Sequence, residues 1–130
     1  MTRWSGVCRS NYVKVKDPAA FRTFLADFRV ELLEKDGLYG FAVDTVGNRP
    51  GTTGHLEEHL RELCNKLPQH LAPGQVCVVF EVGCCGRHYL TGWSKAIHYT
   101  GEMIMLDLDE IYALAMEKFG RLVAMTAVEF

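Results

Sequence analysis

Apolar runs joined by turns too short to hold a helix constrain this chain more than any other feature. Val30–Leu33 and Leu38–Val43 flank Glu34-Lys35-Asp36-Gly37, whose Asp-Gly pair supplies the positive φ angles of a tight hairpin. Further on, Val76–Val82 is apolar almost throughout and reads as a central strand. It passes through the turn Gly83-Cys84-Cys85-Gly86 into a strand from about Arg87 to Tyr99, and Thr100-Gly101 turns that strand into Met103–Leu106. Strands joined this closely run antiparallel, because a doubly wound parallel sheet needs a helical crossover after nearly every strand.

Between these runs the apolar period changes. Asn11–Lys16 alternates apolar and polar side chains, as a half-buried strand does. Asp17-Pro18 then reads as an N-cap followed by proline at the first helical position, and Phe21, Phe24, Leu25 and Phe28 form one aromatic stripe. Residues 44–54 are rich in turn formers and read as the longest loop, a natural place for a binding surface. Thr52 or Thr53 caps a second helix whose Leu56, Leu60, Leu63 and Leu67 share a face, and Pro68 ends or kinks it. Gly92, inside a strand, suggests a bulge or a close backbone approach. Asp107 with Glu110 resembles a capping box for a third helix, which has Ile111, Leu114, Ala115 and Phe119 on one face and Gly120 beyond its end. Leu122–Phe130 reads as a last strand or a docked terminus. The expected order is β-α-β-β-α-β-β-β-α, with a further β at the tail. The fold class is α+β: one domain over residues 1–130, a mainly antiparallel sheet, and two or three helices packed on one side.

Composition agrees with one globular domain. The chain has 130 residues, 48% apolar and 23% charged, which excludes a collagen-like, low-complexity or mainly disordered protein. No apolar run approaches the roughly 18 residues of a membrane span, and Met1–Gly6 has no apolar core of a signal peptide. A cytoplasmic location is expected. Fourteen basic and sixteen acidic residues give a net charge of −2, without the basic excess of a nucleic-acid coat, so direct sequence-specific nucleic-acid binding is not expected. Charge is uneven along the chain. Residues 101–117 carry five acids and no base, a distribution that either steers a charged partner or simply favours a helix N-terminus. Five cysteines, Cys8, Cys64, Cys77, Cys84 and Cys85, make an odd set that argues against a disulfide framework.

Four chemical patterns can be weighed. His55-Leu56-Glu57-Glu58-His59 fits the H-x-x-E-H pattern of inverted zinc peptidases, with His55 and His59 one helical turn apart as metal ligands and Glu58 as general base. Such a short pattern arises easily in a His- and Glu-bearing helix, and the reaction also needs a third ligand and a cleft. Cys84-Cys85 with His88 is a second candidate: Cys85 as a thiolate activated by His88 or Arg87. Gly83-x-x-Gly86 is no phosphate loop, because it lacks the following Lys-Ser/Thr and leads into a strand. Tyr12, Tyr39, Phe41, Tyr89, Trp93 and Tyr99 could stack on bases, but alternation divides them between faces and core packing accounts for most of them. No cofactor is predicted.

Arg9-Ser10-Asn11-Tyr12-Val13-Lys14-Val15-Lys16-Asp17-Pro18-Ala19-Ala20-Phe21 resembles the opening of a family of small proteins from plasmids, phages and integrated elements. Val76–Gly83, Tyr89–Trp93 and Leu106–Ala115 resemble its second half. The resemblance implies a mobile-element setting in a bacterial host, where small proteins often block host defence systems, anti-CRISPR proteins among them. The expected function is therefore a non-enzymatic protein-binding inhibitor of a nucleic-acid defence complex, acting by steric occlusion. Glu57, Glu58, Glu62, Asp109 and Glu110 are its candidate contacts to a basic nucleic-acid channel, and a net charge of −2 restricts phosphate mimicry to a local patch. The rivals are a small metal- or thiol-dependent enzyme using His55/Glu58/His59 or Cys85/His88, and an immunity or dimeric scaffold protein, which would be a homodimer.

Overall fold

The computed structural model describes residues 4–47, 54–86 and 90–120, and side chains for all of these except residues 4, 45–47 and 54–57. The chain runs β1 (Trp4–Ser10), α1 (Pro18–Asp27), β2 (Glu31–Lys35), β3 (Leu38–Gly47), α2 (Gly54–Lys66), a 3-10 turn (Leu67–His70), β4 (Val76–Cys85), β5 (Leu90–His98), β6 (Met103–Asp107) and α3 (Glu110–Phe119). The six strands form one sheet in the order β2-β3-β1-β4-β5-β6, and every pairing is antiparallel. The α+β architecture and the order of elements are those expected from the sequence.

Local chemistry explains the elements. The Asp17 carboxylate accepts from the backbone N–H groups of Ala19 and Ala20 at 3.0 and 3.4 Å, and Pro18 opens α1 where no N–H is needed. Asp36 and Gly37 both take positive φ, 53° and 78°, and close the β2–β3 hairpin. The aromatic stripe of α1 and the leucines Leu60 and Leu63 of α2 then bury against the sheet. Phe21, Leu25, Phe41, Leu63, Leu67, Leu71, Val79 and Ile97 are at the centre of the core.

Four expectations are corrected. Asn11–Lys16 is not a strand: β1 lies one segment earlier, and Val13 and Val15 make only isolated bridges to Tyr39 and Leu71. Their side chains are buried as the alternation implied, but the main chain is diverted. At the exit from β1 the Asn11 side-chain amide stands in for a strand peptide: its Oδ1 accepts from Val78 N at 2.8 Å and its Nδ2 donates to Val76 O at 3.2 Å. Second, the loop expected at 44–54 starts later, because β3 continues to Gly47 paired with the start of β1, a long-range pairing that overrides local turn preference. Residues 48–53, including the candidate caps Thr52 and Thr53, lie outside the described residues, as do 87–89 and the tail 121–130.

Third, Cys84 and Cys85 end β4 rather than forming a turn; they pair with Ser5 and Trp4 of β1. Fourth, Asp107 belongs to β6, and α3 starts after Asp109, whose side chain makes no capping hydrogen bond. The C-terminal end of α3 is as expected, with Gly120 at φ 90°.

Candidate protein-binding surface

The sheet has two unlike faces. Strand alternation sends Cys77, Val79 and Glu81 of β4 to the side covered by the helices and Val76, Phe80 and Val82 to the other. The antiparallel register carries this across neighbouring strands, because Phe80 faces Arg9 on β1 and Ser94 on β5, and Ser94 faces Leu106 on β6. The outer side of β1, β4, β5 and β6 is therefore a continuous surface. Val7, Val76, Phe80, Val82, Leu90, Ile104 and Leu106 stand on it with their side chains 40 to 72% exposed. Val76–Val82, apolar almost throughout, is a central strand as read, and its Phe80 and Val82 side chains stay exposed on this side.

α3 carries a second exposed apolar surface. Leu108, between β6 and α3, donates its N–H to Gly92 O at 3.0 Å. A Cβ at Gly92 would meet the Leu108 side chain at 3.1 Å, so the glycine provides the close approach that its position in a strand suggested. From there α3 leaves with no buried residue; Ile111, Leu114, Met116 and Phe119 are all exposed. The sequence placed Ile111, Leu114, Ala115 and Phe119 on one helical face, but that face is not buried. An open-sided trough of about 650 Å³ lies on the sheet face, between Val7, Asp44, Val82, Cys84, Leu90 and Leu108. A second depression of about 220 Å³ lies among Phe80, Val82, Ser94, Leu106 and Leu108.

The candidate acidic residues do not form one patch. Glu58 and Glu62 are exposed on α2, whose Leu60 and Leu63 bury against the covered face. Asp109 and Glu110 are exposed at the start of α3, beside the open face. Glu62 is already engaged: Lys66 Nζ lies 2.8 Å from its carboxylate, and that hydrogen bond and positive charge hold the Glu62 carboxyl below its ordinary value. The Glu57 side chain is outside those described.

The metal and thiol candidates are placed as follows. The His55 side chain and all of His88 lie outside the described residues. Glu58 is exposed, and the exposed His59 sets its ring edge-on to Phe28, with centroids 5.5 Å apart. Among the described residues no group of three His, Cys, Asp or Glu side chains could hold a metal ion. Cys84 and Cys85 are half-buried and, as neighbours on a strand, project to opposite faces. Cys8, Cys64 and Cys77 are free and buried in the core, and desolvation pushes their thiols up, to about 12 for Cys8 and Cys77. Such thiols stay protonated and pack as small apolar groups.

One group of residues went unnoticed in the sequence. Arg61 of α2, Glu81, Trp93, Lys95 and Met105 line a pocket of about 290 Å³ on the covered side. Glu81 is only 6% exposed there, and Lys95 Nζ lies 5.3 Å from the Trp93 ring centroid. Its signal was present: Glu81 is the lone carboxylate in the apolar run of β4 and falls in register with the inward-facing Val79 and Cys77.

No helix among the described residues is long and apolar enough to cross a membrane. Compared with protein-family models, curated proteins and solved structures, the chain matches none of them.

Proposed function

We propose that this chain is a non-enzymatic protein-binding domain that acts by occlusion, with a nucleic-acid defence complex of a bacterial host as its target. One observation carries the binding part: an apolar sheet face and an apolar helix stripe, both exposed. Contiguous apolar patches on self-sufficient monomers are about 300–600 Å². The exposed side chains of β4–β6 and α3, at roughly 90 Å² each, amount to about 1,000 Å², which is the scale of a specific protein interface. The target class rests on the sequence resemblance at residues 9–21, 76–83, 89–93 and 106–115. Asp109 and Glu110 flank the apolar surface and are placed to meet basic groups at its rim, whereas Glu58 and Glu62 would engage a different part of the target.

The test is binding to a purified, guide-loaded CRISPR–Cas surveillance complex, at two salt concentrations. Binding should weaken with salt and with the double charge reversal Asp109→Lys/Glu110→Lys, and should be lost with Phe80→Asp. Glu57→Lys/Glu58→Lys examines the α2 edge in the same way. Absence of binding by the parent chain to this complex and to restriction complexes would overturn the target assignment. Unchanged affinity in both charge-reversed chains would remove the acidic contacts.

A further inference from the structure

The open sheet face and the stripe of α3 are both exposed, and one second copy of the chain could cover both. We infer that the protein forms a two-fold symmetric dimer in which α3 of each protomer lies across β4–β6 on the open face of the other. This rests on the reading that these surfaces are protein contacts: a second copy covers them in the free protein, and the dimer must part for the target to dock.

Area supports it. About 1,000 Å² of exposed apolar side chain per protomer exceeds the roughly 800 Å² that each partner contributes to a standard stable interface. Dimensions agree as well. The ten residues of α3 measure about 15 Å at 1.5 Å per residue, enough to cross three strands spaced about 4.8 Å apart. Helical periodicity gathers Ile111, Leu114, Ala115 and Phe119 on one side of α3 and turns Glu110 and Glu117 away from it, so docking the stripe leaves those acids in water; Lys118, in the last turn on the same side, can lay its stem along the contact and keep its ammonium at the edge. The start of the helix is fixed: Leu108 is hydrogen-bonded to Gly92 and packed on it, and only Asp109 separates it from α3. With so short a connection, α3 projects its stripe outward instead of folding it onto its own sheet. The contact is reciprocal, because the stripe of one protomer meets the face of the other twice, which closes the assembly at two copies.

The experiment measures mass by light scattering from about 1 to 100 μM for the full chain, Phe80→Asp and Leu114→Asp. Both positions are exposed within the protomer, so both variants should fold, and circular dichroism and thermal melting check that they do. The parent should have twice the 14.7 kDa chain mass. Each variant should be monomeric or dissociate at least about 30-fold more readily, since each places a carboxylate in the centre of the contact. Mixing the two variants should restore association that neither shows alone, because the intact α3 of one can dock on the intact face of the other. A monomeric parent at every concentration overturns the inference. A dimer without complementation on mixing overturns the exchange of α3. A dimer that binds no defence complex refutes the proposed target alone, and a monomer that binds it through Phe80 refutes the dimer alone.

Discussion

Replacing Gly40 with alanine should cost this protein a large part of its stability, although the change adds one methyl group. Gly40 lies in β3 where the chain leaving β1 crosses it. A Cβ there would stand 2.6 Å from the Asn11 carbonyl oxygen and 2.8 Å from Ser10 Oγ. Clearing the carbonyl requires a shift of roughly half an ångström in a close-packed interior. The neighbours cannot give freely. Ser10 Oγ accepts from the N–H of the fully buried Phe41 at 2.9 Å and donates to Asn11 O at 2.8 Å, and Asn11 N donates to Val78 O at 3.0 Å. Overpacking costs about 1–3 kcal/mol, and depriving the Phe41 N–H of its acceptor costs a further 1–3 kcal/mol or so. The expected loss is about 2–6 kcal/mol against a typical total of about 5–15 kcal/mol. Urea denaturation followed by tryptophan fluorescence measures it. At a slope near 2 kcal/mol per molar the midpoint should fall by about 1–3 M with the slope unchanged. Ser10→Ala removes one of the two atoms the methyl would strike, so the double variant should be less unstable than the sum of the singles. A Gly40→Ala midpoint within about 0.3 M of the parent would refute the reasoning, since at that slope the loss would be near 0.6 kcal/mol.

Other outcomes follow from the same structure. Asp17→Ala should cost about 1 kcal/mol by removing the N-cap of α1, read as a lower denaturation midpoint, while Asp17→Asn should retain most of it. Cys8 and Cys77 have folded values raised to about 12 from 9.0, so their contribution to stability is complete below pH 9.0 and is lost as pH rises toward 12. Thermal melts should therefore drop above pH 9, and at pH 8 a thiol reagent should label Cys84 and Cys85 well before Cys8 and Cys77. His70 stacks on Phe24 with centroids 4.3 Å apart, and burial, with Lys16 nearby, lowers its value from 6.5. Folding favours its neutral form, so its contribution is complete above pH 6.5 and fades as pH falls through the lowered value; His70→Phe should flatten the melting profile below pH 6.5.

The fold was legible wherever local and tertiary preferences agree. Asp17-Pro18, the Phe21–Phe28 stripe, the Asp36-Gly37 turn and the leucines of α2 each name an element by its own chemistry, and each is found where expected. The misreadings came where a distant partner decides. Asn11–Lys16 has a strand's alternation but leaves the sheet, because the Asn11 amide takes over its ladder. Trp4–Ser10, with little pattern of its own, becomes a central strand because β3 and β4 pair with it on both sides. The surface was half legible. The apolar residues of β4 and α3 were identified correctly, but periodicity tells which side chains share a face and does not reveal whether anything lies over it. Nor could periodicity show that Glu58 and Glu62 would be separated from Asp109 and Glu110 by the placement of their helices.

The division of labour along β4 has a consequence for how this molecule can change. Odd-numbered positions from Cys77 to Glu81 belong to the interior, while Phe80 and Val82 contribute little to holding the domain together. Substitution on the outer side can therefore proceed without renegotiating the interior, and specificity can be rewritten at Phe80, Val82 and their neighbours on adjacent strands while the architecture beneath stays the same. A small domain arranged in this way is a ready-made scaffold for selection, natural or in the laboratory, with the variable surface on one side and the invariant chemistry on the other.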